Sequence, residues 1–136
     1  MTRDVSRMLR LSRRGMRLAA KLESNRIFYR YGCYISPNAD VAPDVVFPHP
    51  IGIVIGEGVK IGAGCTIYQQ VTLGSKGGGY PSLGEGCVLY AGSTVLGGIC
   101  LADGVTVGAN SLVMKSCDVP GAVLVGSPAR ALLPAK

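Results

Sequence analysis

The chain has 136 residues and a net charge of +6, with 48% hydrophobic, 16% charged and 6% aromatic residues and no Trp. This length suits one domain, and so high a hydrophobic content excludes a disordered chain. No stretch approaches the roughly 20 apolar residues of a transmembrane helix. The N-terminus has no apolar secretion-signal core, because Arg interrupts it, and the five Cys form no CxxC pair. We therefore expect a cytoplasmic protein with reduced thiols.

Residues 1–30 are predicted to form one short basic helix, distinct from residues 31–136. This segment has a net charge of +7, whereas the remainder has −1. Its cations recur at steps of three and four, which predicts one charged face: Arg3, Arg7, Arg10, Arg14, Arg17 and Lys21. Such a face is most often solvated, and the alternative is a peripheral contact with an anionic membrane surface. Nucleic-acid binding is not expected, because no recognition motif accompanies the bases.

From residue 35 onward, an aliphatic residue recurs at every sixth position. The clearest run is Leu83, Leu89, Val95, Leu101, Val107, Val113, Val119 and Val125. A step of six fits neither an α-helix nor an ordinary strand and is typical of the hexapeptide β-helix. The sequence therefore predicts an all-β fold, a left-handed parallel β-helix of hexapeptide repeats that follows the short N-terminal α-helix. The Cys residues (Cys33, Cys65, Cys87, Cys100 and Cys117) are interpreted as small core residues rather than metal ligands.

Two segments interrupt the six-residue step. Residues 48–52 shift it by two positions, and residues 74–82 contain four residues more than one repeat. Loops that interrupt a solenoid are where functional groups concentrate. His49, the single His, lies in the first interruption between two prolines that restrict its backbone. Because imidazole titrates near neutral pH, His49 is a candidate general base for a hydroxyl that attacks an activated acyl group.

Three segments resemble the serine acetyltransferase branch of the hexapeptide acyltransferases, in the short form associated with polysaccharide gene clusters. They are residues 49–57 (HPIGIVIGE), 67–74 (IYQQVTLG) and 125–130 (VGSPAR). The resemblance implies a homotrimer that transfers an acetyl group from acetyl-CoA to a hydroxyl, without a metal, in a cleft between subunits. It also implies that His49 is the catalytic base. The donor is expected to bind along Gly74, Ser75, Ala91 and Ala109, with Lys115 and Arg130 near its phosphates.

The chain departs from that family pattern on the acceptor side. Tyr80 stands where the family has a second active-site His, and Tyr34 stands where it has the Asp that orients the catalytic His. With Glu57, these residues are the acceptor-side candidates. The basic segment is also much shorter than the helical domain of serine acetyltransferases. We therefore leave the acceptor open between L-serine and a sugar or polysaccharide precursor, with a slight preference for the sugar.

Two other functions are alternatives for the same fold. A γ-type carbonic anhydrase needs three His at each zinc site, and this chain has a single His. A non-catalytic trimeric scaffold is the main alternative, since the second His and the orienting Asp are both replaced. Binding of acetyl-CoA distinguishes the scaffold from the enzyme.

Overall fold

The computed structural model describes residues 1–132 as a helical hairpin followed by a three-sided parallel solenoid. The helices are α1 (Thr2–Arg13) and α2 (Arg17–Tyr31). Fourteen strands follow in this part of the chain: β1 Tyr34–Ile35, β2 Asp40–Val41, β3 Val54–Ile55, β4 Lys60–Ile61, β5 Thr66–Ile67, β6 Thr72–Gly74, β7 Ser82–Leu83, β8 Val88–Leu89, β9 Thr94–Leu96, β10 Cys100–Leu101, β11 Thr106–Val107, β12 Leu112–Val113, β13 Val123–Gly126 and β14 Ala129–Ala131.

The strands form three sheets, one on each side of the solenoid. Face A has the order β1-β3-β6-β9-β12, face B β2-β4-β7-β10, and face C β5-β8-β11-β13-β14. All neighbouring strands are parallel except β13 and β14, which form an antiparallel pair at the C-terminal end. The chain therefore visits faces A, B and C in turn and stacks coil on coil, as a hexapeptide β-helix does.

Strand register on face A confirms both the six-residue period and its two interruptions. Ile35 pairs with Ile55, and Leu73 pairs with Ile55 and with Val95. These partners are 20, 18 and 22 residues apart in sequence, so the first coil has two extra residues and the third has four. Each extra segment lies at an edge between faces, where it leaves the stacked strands undisturbed.

Aliphatic side chains fill the interior of the coils. Buried residues include Ile55, Leu73 and Leu89, each fully inaccessible to solvent. Burial also raises the pKa of the Cys33 thiol, which keeps it protonated as a small core group. Cys65 and Cys87 are buried as predicted.

Three sequence expectations about inward-facing residues were wrong. Cys100 is exposed, because it precedes the inward Leu101 on a two-residue strand. Val119 is 58% exposed, and in the last coil Leu124 rather than Val125 is buried. Leu124 pairs with Val107, 17 residues earlier instead of 18, so the period slips by one residue between β12 and β13.

The N-terminal segment is two helices rather than one. Gly15 adopts a left-handed conformation with φ of +77° and separates α1 from α2. The Tyr31 hydroxyl donates a hydrogen bond of 2.7 Å to Asp4 Oδ2, so the end of α2 lies beside the start of α1. The expected single charged face is consequently divided, with Arg17 and Lys21 on the second helix. Neither described helix is long and apolar enough to cross a membrane.

Both helices contribute to the same hydrophobic core as the first coils. Val5, Met8 and Leu9 of α1 and Ile27 of α2 are buried in that core. The Ser24 hydroxyl donates a hydrogen bond of 2.9 Å to the carbonyl of Ile35 in β1. The hairpin is thereby packed on the solenoid at its N-terminal end.

Candidate active site

His49 lies at the edge where the chain passes from face C to face A, here called the CA edge. The side chain is exposed, and the His49 carbonyl accepts a hydrogen bond of 2.8 Å from Ile51 N in a tight turn. The two extra residues of the first coil form this turn. The flanking prolines and the turn together hold the imidazole outside the core.

Two tyrosines continue the CA edge above His49. The His49 and Tyr68 ring centroids are 6.2 Å apart, and Tyr68 stacks on Tyr90 at 5.2 Å with an interplanar angle of 15°. Sequence reasoning missed this aromatic column. The signal was present, since Tyr68 and Tyr90 each follow an inward aliphatic residue, Ile67 and Leu89, by one position.

No hydrogen bond or ion pair reaches the His49 imidazole from another side chain within residues 1–132. Tyr34, which stands at the family's Asp position, lies on β1 of face A with 47% of its surface exposed. In one chain, therefore, no described carboxylate fixes the tautomer of His49. Its ring contact is with Tyr68.

Tyr80 lies at the opposite edge of face A, where the chain passes to face B, here called the AB edge. Its ring covers the turn of the coil below, so closely that a Cβ on Gly56 would lie 2.7 Å from Tyr80 Cε1. The Tyr80 hydroxyl donates a long hydrogen bond of 3.4 Å to Glu57 Oε1. The structure thus brings together two of the three acceptor-side candidates.

The loop that carries Tyr80 is a small hairpin. Lys76 and Gly79 exchange backbone hydrogen bonds of 3.1 and 3.2 Å. Gly77 and Gly78 between them have φ of +59° and +82°, which is the pattern of a type I′ turn and requires residues tolerant of positive φ. The hairpin fixes the direction in which Tyr80 leaves the loop.

A cleft of about 470 Å³ separates the helical hairpin from the first coils. Tyr34 and Glu57 both line it. The other lining residues, mostly polar, are Ser12, Arg17, Ala20, Lys21, Ser24, Ser36, Pro37 and Asn38. Arg17 and Lys21 were missed as site candidates, because the single-helix prediction assigned them to a solvated face. His49 does not line this cleft.

The six donor-side candidates are divided between regions of the chain. Ala91 and Ala109 lie one coil apart at the CA edge, where Asn110 N donates a hydrogen bond of 2.9 Å to the Ala91 carbonyl. Gly74 ends β6 beside Leu96, and Ser75 begins the exposed loop at the AB edge.

The last two donor-side candidates lie together at the C-terminal end of the solenoid. Lys115 and Arg130 line a groove of about 190 Å³ with Met114. Lys76 joins them, since its Nζ lies 3.8 Å from Met114 Sδ. Two cations therefore line the groove and a third lies near its Met114, which suits a phosphate group. Within residues 1–132, no group of three or more His, Cys, Asp or Glu is arranged to hold a metal ion.

The six-residue repeat, the three parallel sheets and the interrupted edges define a hexapeptide-repeat β-helix protein. No family model matches the chain. It is 42% identical over 106 residues to a serine acetyltransferase of Helicobacter pylori, a match that covers 74% of this chain and 61% of the relative. The chain therefore spans about three-fifths of that relative's length.

Solved structures of serine acetyltransferases are also similar to this chain. A serine acetyltransferase in complex with CoA superposes with a TM-score of 0.89 at 31% identity, covering 95% of this chain and 54% of the other. The soybean serine acetyltransferase complexed with serine gives 0.86 at 36% identity, covering 92% and 53%. The fold is thus the left-handed parallel β-helix that the repeat predicted, and over the matched residues the chain is similar to serine acetyltransferases.

Proposed function

We propose that the protein is an acetyl-CoA-dependent O-acetyltransferase with His49 as its general base. The observation that carries this proposal is the similarity to serine acetyltransferases combined with an exposed His49 at an interruption of the coil. Imidazole accepts the proton of the acceptor hydroxyl as its oxygen attacks the thioester carbonyl. The imidazolium then protonates the departing CoA thiolate. No covalent acyl-enzyme is expected, because neither Cys nor Ser adjoins His49 in sequence.

We propose that the active enzyme is a homotrimer with its sites between subunits. His49 and Tyr80 lie on opposite edges of face A, and the donor-side candidates are divided between edges in the same way. A site that uses both edges is completed when the CA edge of one subunit meets the AB edge of its neighbour. This arrangement also gives His49 access to polar groups that its own chain does not supply.

The acceptor is proposed to be a hydroxyl compound, with L-serine as the first candidate because the relatives are named serine acetyltransferases. Two observations favour a sugar or polysaccharide precursor as the second candidate. Tyr34 and Tyr80 replace the family's charged and titratable groups. The cleft of about 470 Å³ lies in the size range of ligand pockets and is lined by hydroxyl, amide and charged groups suited to several sugar hydroxyls.

A thiol-release assay with acetyl-CoA tests these alternatives. It compares L-serine, a panel of monosaccharides and nucleotide sugars under identical conditions. Release with serine alone supports serine O-acetylation, and release with a sugar supports O-acetylation of a glycan precursor. The expected result is release with at least one of the two classes, and its dependence on His49 tests the general base.

The scaffold hypothesis is tested by the same protein without an acceptor. A ligand that binds only the folded state raises the melting temperature, so acetyl-CoA is expected to stabilise the enzyme. Absence of both thiol release and a thermal shift would contradict the proposed activity and favour a non-catalytic trimer. A location in the cytoplasm remains a prediction.

A further inference from the structure

Helix α2 is apolar on two opposite sides, and only one of them is packed. Ala20, Ser24 and Ile27 are buried against the coils. Leu18 and Leu22 are 74% and 60% exposed, and Tyr29 is 85% exposed. These three exposed residues are four and seven positions apart, which aligns them in one stripe directly opposite the buried side.

Cations flank the apolar stripe on both sides. At 3.6 residues per turn, Arg17 and Lys21 fall along one border, and Arg26 and Arg30 fall along the other. All four are exposed. Together with the stripe of Leu18, Leu22 and Tyr29, they are called here the outer face of α2.

Few acids lie near these cations, and the exposed Glu57 shares the cleft with Arg17 and Lys21. The one acidic residue of α2, Glu23, has a side chain only 17% exposed and lies 3.7 Å from Arg7 and 3.8 Å from Arg26. The outer face of α2 therefore combines exposed apolar groups with a net positive charge, four cations against the partly buried Glu23 and the neighbouring Glu57. An amphipathic helix that lies in the plane of a bilayer has this arrangement, with an apolar side in the acyl boundary and Lys or Arg at the headgroups.

We propose that the outer face of α2 docks the protein on an anionic lipid bilayer. The helix lies along the surface, with Leu18, Leu22 and Tyr29 inserted and the flanking cations at the lipid phosphates. Charge argues against a second copy as the occupant. Two such faces repel each other, and residues 31–136 carry a net charge of only −1, which offers little to attract the face.

Co-sedimentation with vesicles tests the proposal directly. The full chain is mixed with two kinds of vesicle over a range of salt concentrations. One kind contains phosphatidylcholine alone, and the other contains phosphatidylcholine with a fraction of phosphatidylglycerol. We expect binding to the anionic vesicles that weakens as salt rises, and much weaker binding to phosphatidylcholine alone. Equal binding to both, or none to either, would overturn the proposal.

Two variants separate the apolar stripe from the charge. Leu18→Ser with Leu22→Ser is expected to weaken binding to anionic vesicles by about tenfold or more, because two inserted side chains are lost. Lys21→Gln with Arg26→Gln is expected to weaken it by about fivefold for each cation. The matched control is Arg3→Gln with Arg10→Gln on α1, which removes the same charge elsewhere and is expected to have a smaller effect. An equal loss in the control would show attraction by net charge alone.

A fluorescent reporter locates the contact. The chain has no Trp, so Leu22→Trp places a single probe in the stripe, and Val46→Trp, at a half-exposed position on the coils, is its control. A blue shift with anionic vesicles for Leu22→Trp but not for Val46→Trp supports insertion of this face. A blue-shifted Leu22→Trp spectrum before any vesicle is added would assign the face to an interface between copies.

Binding of poly-L-glutamate at least as tight as vesicle binding, unaffected by the Ser substitutions, would assign the outer face of α2 to an acidic polypeptide. Either result would overturn the membrane proposal.

Discussion

The two edges of face A use their extra residues in opposite ways. At the CA edge, two extra residues hold His49 outside the coil, where no described side chain hydrogen bonds to its ring. At the AB edge, four extra residues hold Tyr80 against a glycine turn, with its hydroxyl on Glu57. The CA edge leaves the His49 imidazole exposed, whereas the AB edge packs the Tyr80 ring against the chain.

This difference indicates which edge depends on a partner. A packed aromatic ring needs nothing further to keep its position, because neighbouring atoms on most sides restrict it. An imidazole that acts as a base needs its tautomer fixed by a group on its far nitrogen. The CA edge is therefore the incomplete half of the proposed site, and a ligand or the adjoining subunit of the proposed trimer is expected to complete it.

The largest effect is expected from removing the His49 side chain at the CA edge. His49→Ala removes the proposed base and should lower the rate of acetyl transfer by about 10²–10⁴-fold. Because His49 is exposed, the fold and the binding of acetyl-CoA should be retained. Steady-state kinetics measure the rate, and thermal melting with and without acetyl-CoA provides the control. A variant that unfolds would show that His49 has a structural role instead.

Overpacking the AB edge should lower the stability of the fold. A Cβ on Gly58 would overlap the Tyr80 ring and would lie 2.8 Å from Tyr80 Cγ, so Gly58→Ala must displace the ring. Overpacking of this kind costs about 1–3 kcal/mol in the free energy of unfolding. Denaturant unfolding measures it, and Gly98→Ala, where the new Cβ would lie at an ordinary 3.4 Å from Gly79 Cα, is the control.

A double-mutant cycle sharpens this prediction. In a Tyr80→Ala background the ring is gone, and Gly58→Ala should then cost less than about 0.5 kcal/mol. An equal cost in both backgrounds would show that Gly58 is constrained by its own backbone and not by Tyr80. The conclusion that the Tyr80 ring packs tightly against Gly58 would then be wrong.

The sequence predicted the coils well because each repeat makes the same contact. An inward aliphatic residue at every sixth position specifies the register of Ile55 with Leu73 without further information. Contacts made once in the molecule were not predictable in this way. Tyr80 on the Gly56–Gly58 turn joins residues 22 to 24 positions apart through a loop that has no repeat pattern.

The helical segment is a second region whose structure the sequence pattern did not predict. Gly15 costs only about 1 kcal/mol in a helix, so local preference alone allows one continuous helix. Burial of both Val5 and Ile27 against the coils favours the hairpin, and that gain depends on packing that the sequence pattern does not specify. The one-residue slip to Leu124 arises before β13, in the segment after Val113, which contains one residue fewer than the repeat requires.

A smaller effect is expected at the groove above the AB edge. Lys115→Gln with Arg130→Gln should raise the KM for acetyl-CoA about tenfold, because charge-assisted contacts to a phosphate are lost, with little change in kcat. Lys60→Gln, an exposed change on face B, is the control. An unchanged KM would place the donor phosphates elsewhere and leave the groove without a role.

The smallest effect is expected away from both edges, at the hydrogen bond between Tyr31 and Asp4. This bond lowers the pKa of the Asp4 carboxyl and raises the pKa of the Tyr31 hydroxyl. Its stabilisation is therefore lost as pH falls below about 4 through the lowered Asp4 pKa, and again as pH rises above about 10 through the raised Tyr31 pKa. Tyr31→Phe should cost about 1 kcal/mol between these limits and leave acetyl transfer unchanged. Unfolding at several pH values measures it, with the highly exposed Tyr29→Phe as control. A cost that persists at a pH well below the lowered Asp4 pKa would show that the hydroxyl stabilises the hairpin without the Asp4 carboxylate.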